Sequence, residues 1–133
     1  MIPVNSPLIS EEAKNNVIRA LESGWISSAG EYVDKFEQEF ANYLSIKNAI
    51  SVCNGTAALH VAISSLNIGQ GDEVIVPAFT MGSTWLAVMY TGAKPVFVDC
   101  EPDTLNINPN LIEEKITNHT KAILPVHIYG HPV

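Results

Sequence analysis

The sequence predicts an α/β fold with a mostly parallel sheet, and two patterns predict it. Four short apolar runs, Ala49 to Cys53, Glu73 to Val76, Pro95 to Val98 and Ala122 to Val126, lack the alternation of a half-solvated strand. They therefore read as strands buried on both faces. Between them lie longer segments whose apolar residues recur at helical spacing, so that strands alternate with helices. At 133 residues the chain has the size of one domain and is long enough to bury a core. Its 47% hydrophobic content excludes a disordered chain.

The elements follow in order. Ser10 is placed to cap a first helix, with Glu11 and Glu12 in the first turn. Ala13, Val17 and Leu21 recur every four residues, and Gly24 ends the helix. Trp25 to Gly30 is a loop with one large aromatic, and a second amphipathic helix follows with Val33, Phe36, Phe40 and Tyr43 or Leu44 on one face. The strand at 49–53 leads through Asn54-Gly55-Thr56 into a helix from Thr56 to Leu66. That helix is apolar on most sides, which predicts burial on several faces. Gly69-Gln70-Gly71-Asp72 is a turn. The strand from Glu73 is closed by Pro77, and a loop from Ala78 to Gly82 opens a helix running to about Tyr90 and stopped by Gly92. After the strand at 95–98, Asn108 can cap a helix with Pro109 at its first position and Leu111, Ile112 and Ile116 along it. The last strand runs into His127-Ile128-Tyr129-Gly130. No internal repeat or low-complexity segment interrupts this order.

Composition narrows the function. Seven basic against fourteen acidic residues give a net charge of −7, which argues against a nucleic-acid-binding surface. The first residues do not form a signal peptide, and no apolar run approaches membrane-spanning length, so the expected location is the cytoplasm with no membrane partner. Cys53 and Cys100 fall at strands or strand ends and are expected to be reduced core residues.

In parallel sheets ligands gather at the carboxyl ends of the strands. The site is thus expected among Asn54-Gly55-Thr56, Ala78 to Gly82, Asp99 to Asp103 and His127 to His131. The first of these has the stronger signal. A strand, a sharp turn and a helix point free backbone N–H groups and a positive helix end at one spot, which binds phosphate. Gly55 allows close approach and Thr56 adds a hydroxyl. The turn has neither a dinucleotide fingerprint nor a Gly-Lys-Ser/Thr ending, so a single phosphate monoester is expected. Metal readings are weak: His127 and His131 lie beside Gly130 and Pro132 without a third ligand, and Pro102 interrupts the calcium-like alternation of Asp99, Glu101 and Asp103. No metal is expected.

Read together, these segments resemble the DegT/StrS family of pyridoxal-phosphate-dependent sugar aminotransferases. The resemblance is carried by Gly24-Trp25-Ile26-Ser27-Ser28, Asn54 to His60, Gly71 to Thr80, Gly92 to Asp99 and Thr120 to Gly130, in order and over nearly the whole chain. It is nearest to perosamine-synthase-like members, which aminate a nucleotide-linked 4-keto-6-deoxy sugar. The resemblance implies the amino-terminal part of the fold type I large domain, a mostly parallel sheet with helices on both faces. The rest of that domain and a small carboxyl-terminal domain would lie outside residues 1–133. It implies pyridoxal 5′-phosphate as cofactor, its phosphate on Gly55, Thr56 and Ala57. Met81 stands where many members place an aromatic against the pyridine ring, and a thioether can pack there. Trp25, Ser27 and Ser28 are implied near the substrate. The Schiff-base lysine and the carboxylate facing the pyridine nitrogen are expected beyond Val133, because none of Lys14, Lys35, Lys47, Lys94, Lys115 and Lys121 matches that position. These residues alone would then be inactive. The full protein would be a homodimer that takes an amino group from a donor, expected to be glutamate. The alternatives are a pyridoxal-phosphate-dependent keto-deoxysugar dehydratase and a non-catalytic remnant or phosphate-binding module.

Overall fold

The fold is organised around β1 (Glu73–Pro77), a strand with every residue buried. The computed structural model describes residues 2, 3 and 5–133. Its contacts divide the chain into two units, Met1–Ser51 and Val52–Val133.

In the second unit β1 pairs in parallel with β2 (Lys94–Val98) on one side and with β3 (Thr120–Ile123) on the other, giving the order β2-β1-β3. The register with β2 runs unbroken from Glu73 opposite Lys94 to Pro77 opposite Val98. With β3 it shifts between Glu73 and Val74. Parallel neighbours need a crossover, and α4 (Gly82–Tyr90) supplies it between β1 and β2. β1 is central, so its side chains meet protein on both faces. Val74 and Val76 join Ile63, Ile68, Ala87, Val88 and Ala93 in a cluster with α3 (Gly55–Ser65) and α4. Ile75 points to the opposite face and packs with Val98 and Ile107, flanked by Leu111 and Ile112. The expectation of double-sided burial thus holds for β1 alone. β2 and β3 are sheet margins and carry exposed residues.

Glu73 ties the amino end of this sheet together. One carboxylate oxygen accepts from Lys94 Nζ at 2.9 Å and the other from Thr117 Oγ1 at 2.7 Å. Its backbone N–H donates to His119 O at 2.8 Å. One residue therefore holds β1, β2 and the entry to β3. The Thr117 hydroxyl first, and then Lys94, hold its carboxyl below the ordinary value.

The first unit contains α1 (Glu11–Ser23) and α2 (Glu31–Tyr43). Ser10 Oγ accepts from Ala13 N at 3.1 Å, and Gly24 adopts the left-handed cap with φ 77°, as the local sequence predicts. Phe36 and Phe40, one turn apart on α2, stack at 5.6 Å. Glu37 accepts from both Ser51 N and Ser51 Oγ, at 2.7 and 2.9 Å. Those bonds lower its carboxyl as well, the backbone one most.

Four expectations change. Residues 49–53 form no strand, because a strand needs a ladder and the Ser51 N–H is taken by the Glu37 side chain instead. The helix expected after Asn108 is two 3₁₀ turns, Pro109–Leu111 and Glu113–Lys115. There Leu111 N donates to Asn108 O and Ile112 N to Pro109 O, and Ile116 then turns extended, so packing of Leu111 and Ile112 overrides the helical spacing. Helix α3 buries only Ile63 among the described residues, since one side of it meets the sheet and α4 while the rest faces outward. Cys53 and Cys100 are free thiols, but Cys53 is exposed and Cys100 half-buried rather than core.

Two measurements test this account. Ile75→Ala should cost about 2–5 kcal/mol in chemical denaturation, since a fully buried side chain leaves a cavity between two packed layers. Glu73 has a depressed folded-state pKa, so its contribution is complete above the ordinary carboxylate pKa of about 4.3 and is lost as pH falls through the folded value. Urea midpoints measured from neutral pH into acid should fall less steeply in Glu73→Gln than in the wild type. An identical acid limb would show that the carboxylate carries no such linkage.

Candidate functional site

The start of α3 is built from a cap and two unspent donors. Asn54 is extended, and its Oδ1 accepts from Ala57 N at 2.9 Å while its carbonyl accepts from Ala58 N at 3.1 Å. The backbone N–H groups of Gly55 and Thr56 have no acceptor among the described residues. No acidic residue lies in the first turn. A Cβ placed on Gly55 would meet nothing within 4 Å, so the approach to these donors is open. Thr56 and Ala57, both half-buried, border a cleft of about 320 Å³ together with Asn54, His60 and Tyr90. The His60 and Tyr90 rings lie 5.6 Å apart across α3 and α4. Two free donors, the positive end of a helix and the absence of carboxylates suit an anion of phosphate size.

Met81 borders a different cleft. It is the extended N-cap residue of α4, 77% exposed, and lines about 440 Å³ with Phe79, Thr80, His127 and Tyr129 among its neighbours. Both clefts belong to the second unit. Thr56 and Ala57 therefore border one cleft and Met81 another, the latter lined also by Phe79, His127 and Tyr129. Thr80 Oγ1 and Thr84 Oγ1, 2.8 Å apart, fix the loop that presents Met81, and Thr84 is buried.

Trp25, Ser27 and Ser28 lie in the first unit and are exposed. Trp25 N donates to Ser23 Oγ at 3.2 Å, and the Trp25 side chain closes over Gly30, where an added Cβ would come within 3.2 Å of it. Gly30 has φ 144°, a conformation that favours glycine, and the Trp25 contact is tight there as well. His127 Nδ1 accepts from Val133 N at 3.0 Å.

One polar residue escaped the sequence reading. Asn106 is 3% exposed, and its carboxamide bonds to residues 128, 131 and 132, which carry it to the rim of the Met81 cleft. A lone asparagine between Leu105 and Ile107 has no distinguishing local pattern. Only its position between two apolar neighbours hinted at burial.

A parallel sheet with an open helix start beside it makes an α/β fold with donors suited to an anion, and solved structures similar to it include aminotransferases. DesV of S. venezuelae superposes with a TM-score of 0.81 at 43% identity, over 92% of this chain and 34% of that one. Spr1654 of Streptococcus pneumoniae, solved in its pyridoxal phosphate and pyridoxamine phosphate forms, reaches 0.90 at 36% identity, over 99% of this chain and 33% of that one. Residues 7–133 match the DegT/DnrJ/EryC1/StrS aminotransferase family, and the chain belongs to it. The GDP-perosamine synthase of Escherichia coli O157:H7 is 49% identical over 131 residues, which is 98% of this chain and 36% of that protein. The chain spans about a third of the length of the curated relatives it matches. Among the described residues no helix is long and apolar enough to cross a membrane.

The cap can be tested by itself. Asn54→Ala should lower stability by about 0.5–2 kcal/mol, because Ala57 N loses its acceptor at the helix start. Asn54→Ser should recover most of the loss in the same thermal unfolding assay.

Proposed function

We propose that this chain carries the phosphate-holding part of a pyridoxal-phosphate-dependent aminotransferase whose substrate is a nucleotide-linked keto sugar. The observation that carries the reading is the pair of unspent N–H groups at Gly55 and Thr56, on an open and acid-free helix start, in a chain of this family. These residues fit the cofactor's phosphate. Gly55 and Thr56 would donate through the backbone, Thr56 Oγ1 would add a hydroxyl, and Ala57 leaves the space free of bulk. Asn54 does not compete for the anion, because its side chain is spent on Ala57 N. Met81 would offer a polarisable face to a flat ring.

When bound, the cofactor supplies an electron sink through which an amino group passes from donor to keto sugar. The work of residues 1–133 in this reading is to hold, orient and shield. Charge at the phosphate is met by fixed N–H dipoles that need no reorganisation. The perosamine synthase resemblance supports a nucleotide-linked 4-keto-6-deoxy sugar as substrate, glutamate as donor, and contacts to that substrate from Trp25, Ser27 and Ser28. We assign the Schiff-base lysine to sequence outside these residues, the enzyme to a homodimer, and its location to the cytoplasm.

The experiment is a titration of the intact protein carrying this chain with pyridoxal phosphate, followed by amino transfer from glutamate to the keto sugar nucleotide. Thr56→Val keeps the shape and removes one donor to a charged phosphate. Such bonds are worth about 1.5–3 kcal/mol, so affinity should fall roughly tenfold to a hundredfold. Unchanged affinity would return Thr56 to a purely structural place in the first turn.

A further inference from the structure

Tyr129 occupies a backbone conformation that a tyrosine disfavours. Its φ of 49° and ψ of 29° are left-handed, and Gly130 after it has φ 83°. Glycine adopts this conformation without penalty, and a residue with a Cβ does not. Within residues 5–133 Tyr129 is 89% exposed, and its side chain reaches the cleft beside Met81. Strain of this kind clusters at sites that meet a ligand, and of the four described non-glycine residues with positive φ, Ser45, Asn67, Leu105 and Tyr129, only Tyr129 lines the Met81 cleft.

The segment is held from both sides by one buried side chain. Asn106 Oδ1 accepts from Ile128 N at 3.1 Å, just before Tyr129. Asn106 Nδ2 donates to His131 O at 3.2 Å and to Pro132 O at 3.0 Å, just after it. Donor and acceptor ends of the carboxamide are both engaged. An apolar residue of that size would leave Ile128 N, His131 O and Pro132 O without this partner. Tyr129 lines the same cleft as Phe79, Met81 and His127. Flat rings and a thioether around an open cleft suit a planar ring.

We infer that Asn106 is the positioning residue of this cleft, and that Tyr129, held by it in the left-handed conformation, contacts the planar ring of the ligand seated at Met81. The inference rests on the aminotransferase reading for the ring's identity, a phosphorylated pyridine.

The test uses the intact protein, with pyridoxal phosphate as the probe. Asn106→Asp keeps the volume but sets a carboxylate oxygen against two carbonyl oxygens. It should speed amide hydrogen exchange at residues 128–131 and weaken the probe roughly tenfold or more. Tyr129→Gly relieves the strained backbone, so its melting temperature should equal or exceed that of the wild type. It should nevertheless bind the probe about tenfold more weakly, since a ring contact is lost. A merely structural role would not pair a stable fold with weaker binding and an altered absorption maximum of the bound probe. Should Asn106→Asp fail to fold, Tyr129→Gly decides. Wild-type affinity in Tyr129→Gly overturns the contact, and wild-type affinity in Asn106→Asp with accelerated exchange overturns the positioning. If Thr56→Val weakens the probe and neither cleft variant does, this inference alone falls. If the wild type does not bind the probe, the aminotransferase reading falls and takes this inference with it.

Discussion

The second unit depends on the complete burial of β1. A five-residue strand with no exposed side chain must be covered on both faces and paired on both edges. Each of those demands recruits a different part of the chain. Pairing brings β2 from 21 positions later in the register, Glu73 against Lys94, and β3 from further still. Covering one face requires α3 and α4, and covering the other requires the 3₁₀ turns with Leu111 and Ile112. Residues far apart in sequence thus arrive at one end of one sheet because Val74, Ile75 and Val76 must be dry.

Local chemistry made much of this readable in the sequence. Ser10 and Gly24 mark the ends of α1 because capping involves residues three apart or fewer. The run Glu73 to Pro77 reads as a central strand because lack of alternation is itself the signature of two buried faces. Reading failed where the deciding partner is distant. The run at 49–53 has strand composition, but composition cannot supply a ladder, and Ser51 finds Glu37 fourteen positions away. The segment after Asn108 has a helix cap and helical spacing, yet tertiary contacts of Leu111 and Ile112 settle it as two tight turns.

The candidate site divides the same way. The turn at Asn54-Gly55-Thr56 was legible because its cap and its free donors lie in its own backbone and first side chain. Asn106 was not, because its partners lie 22 to 26 positions later and nothing near it in sequence shows them. The separation of Met81 from Thr56 and Ala57 into two clefts was equally invisible, since both simply follow apolar runs. Hydrogen-bond partners at long range are the least local information in a chain, and the cleft rim is made of them.

Glu73 sits at the amino end of β1, whereas the residues bordering the Met81 cleft follow the carboxyl ends of β1 and β3. The anchor and the candidate site therefore lie at opposite ends of the same strands. The Lys94 and Thr117 ties secure register without touching the loops at the far end. Over evolutionary time those loops can be rewritten, in length or in side chains, while the anchor keeps the sheet in place. A scaffold with this polarity can change what it recognises without renegotiating how it folds, and loop exchange between relatives becomes a practical route to new specificity.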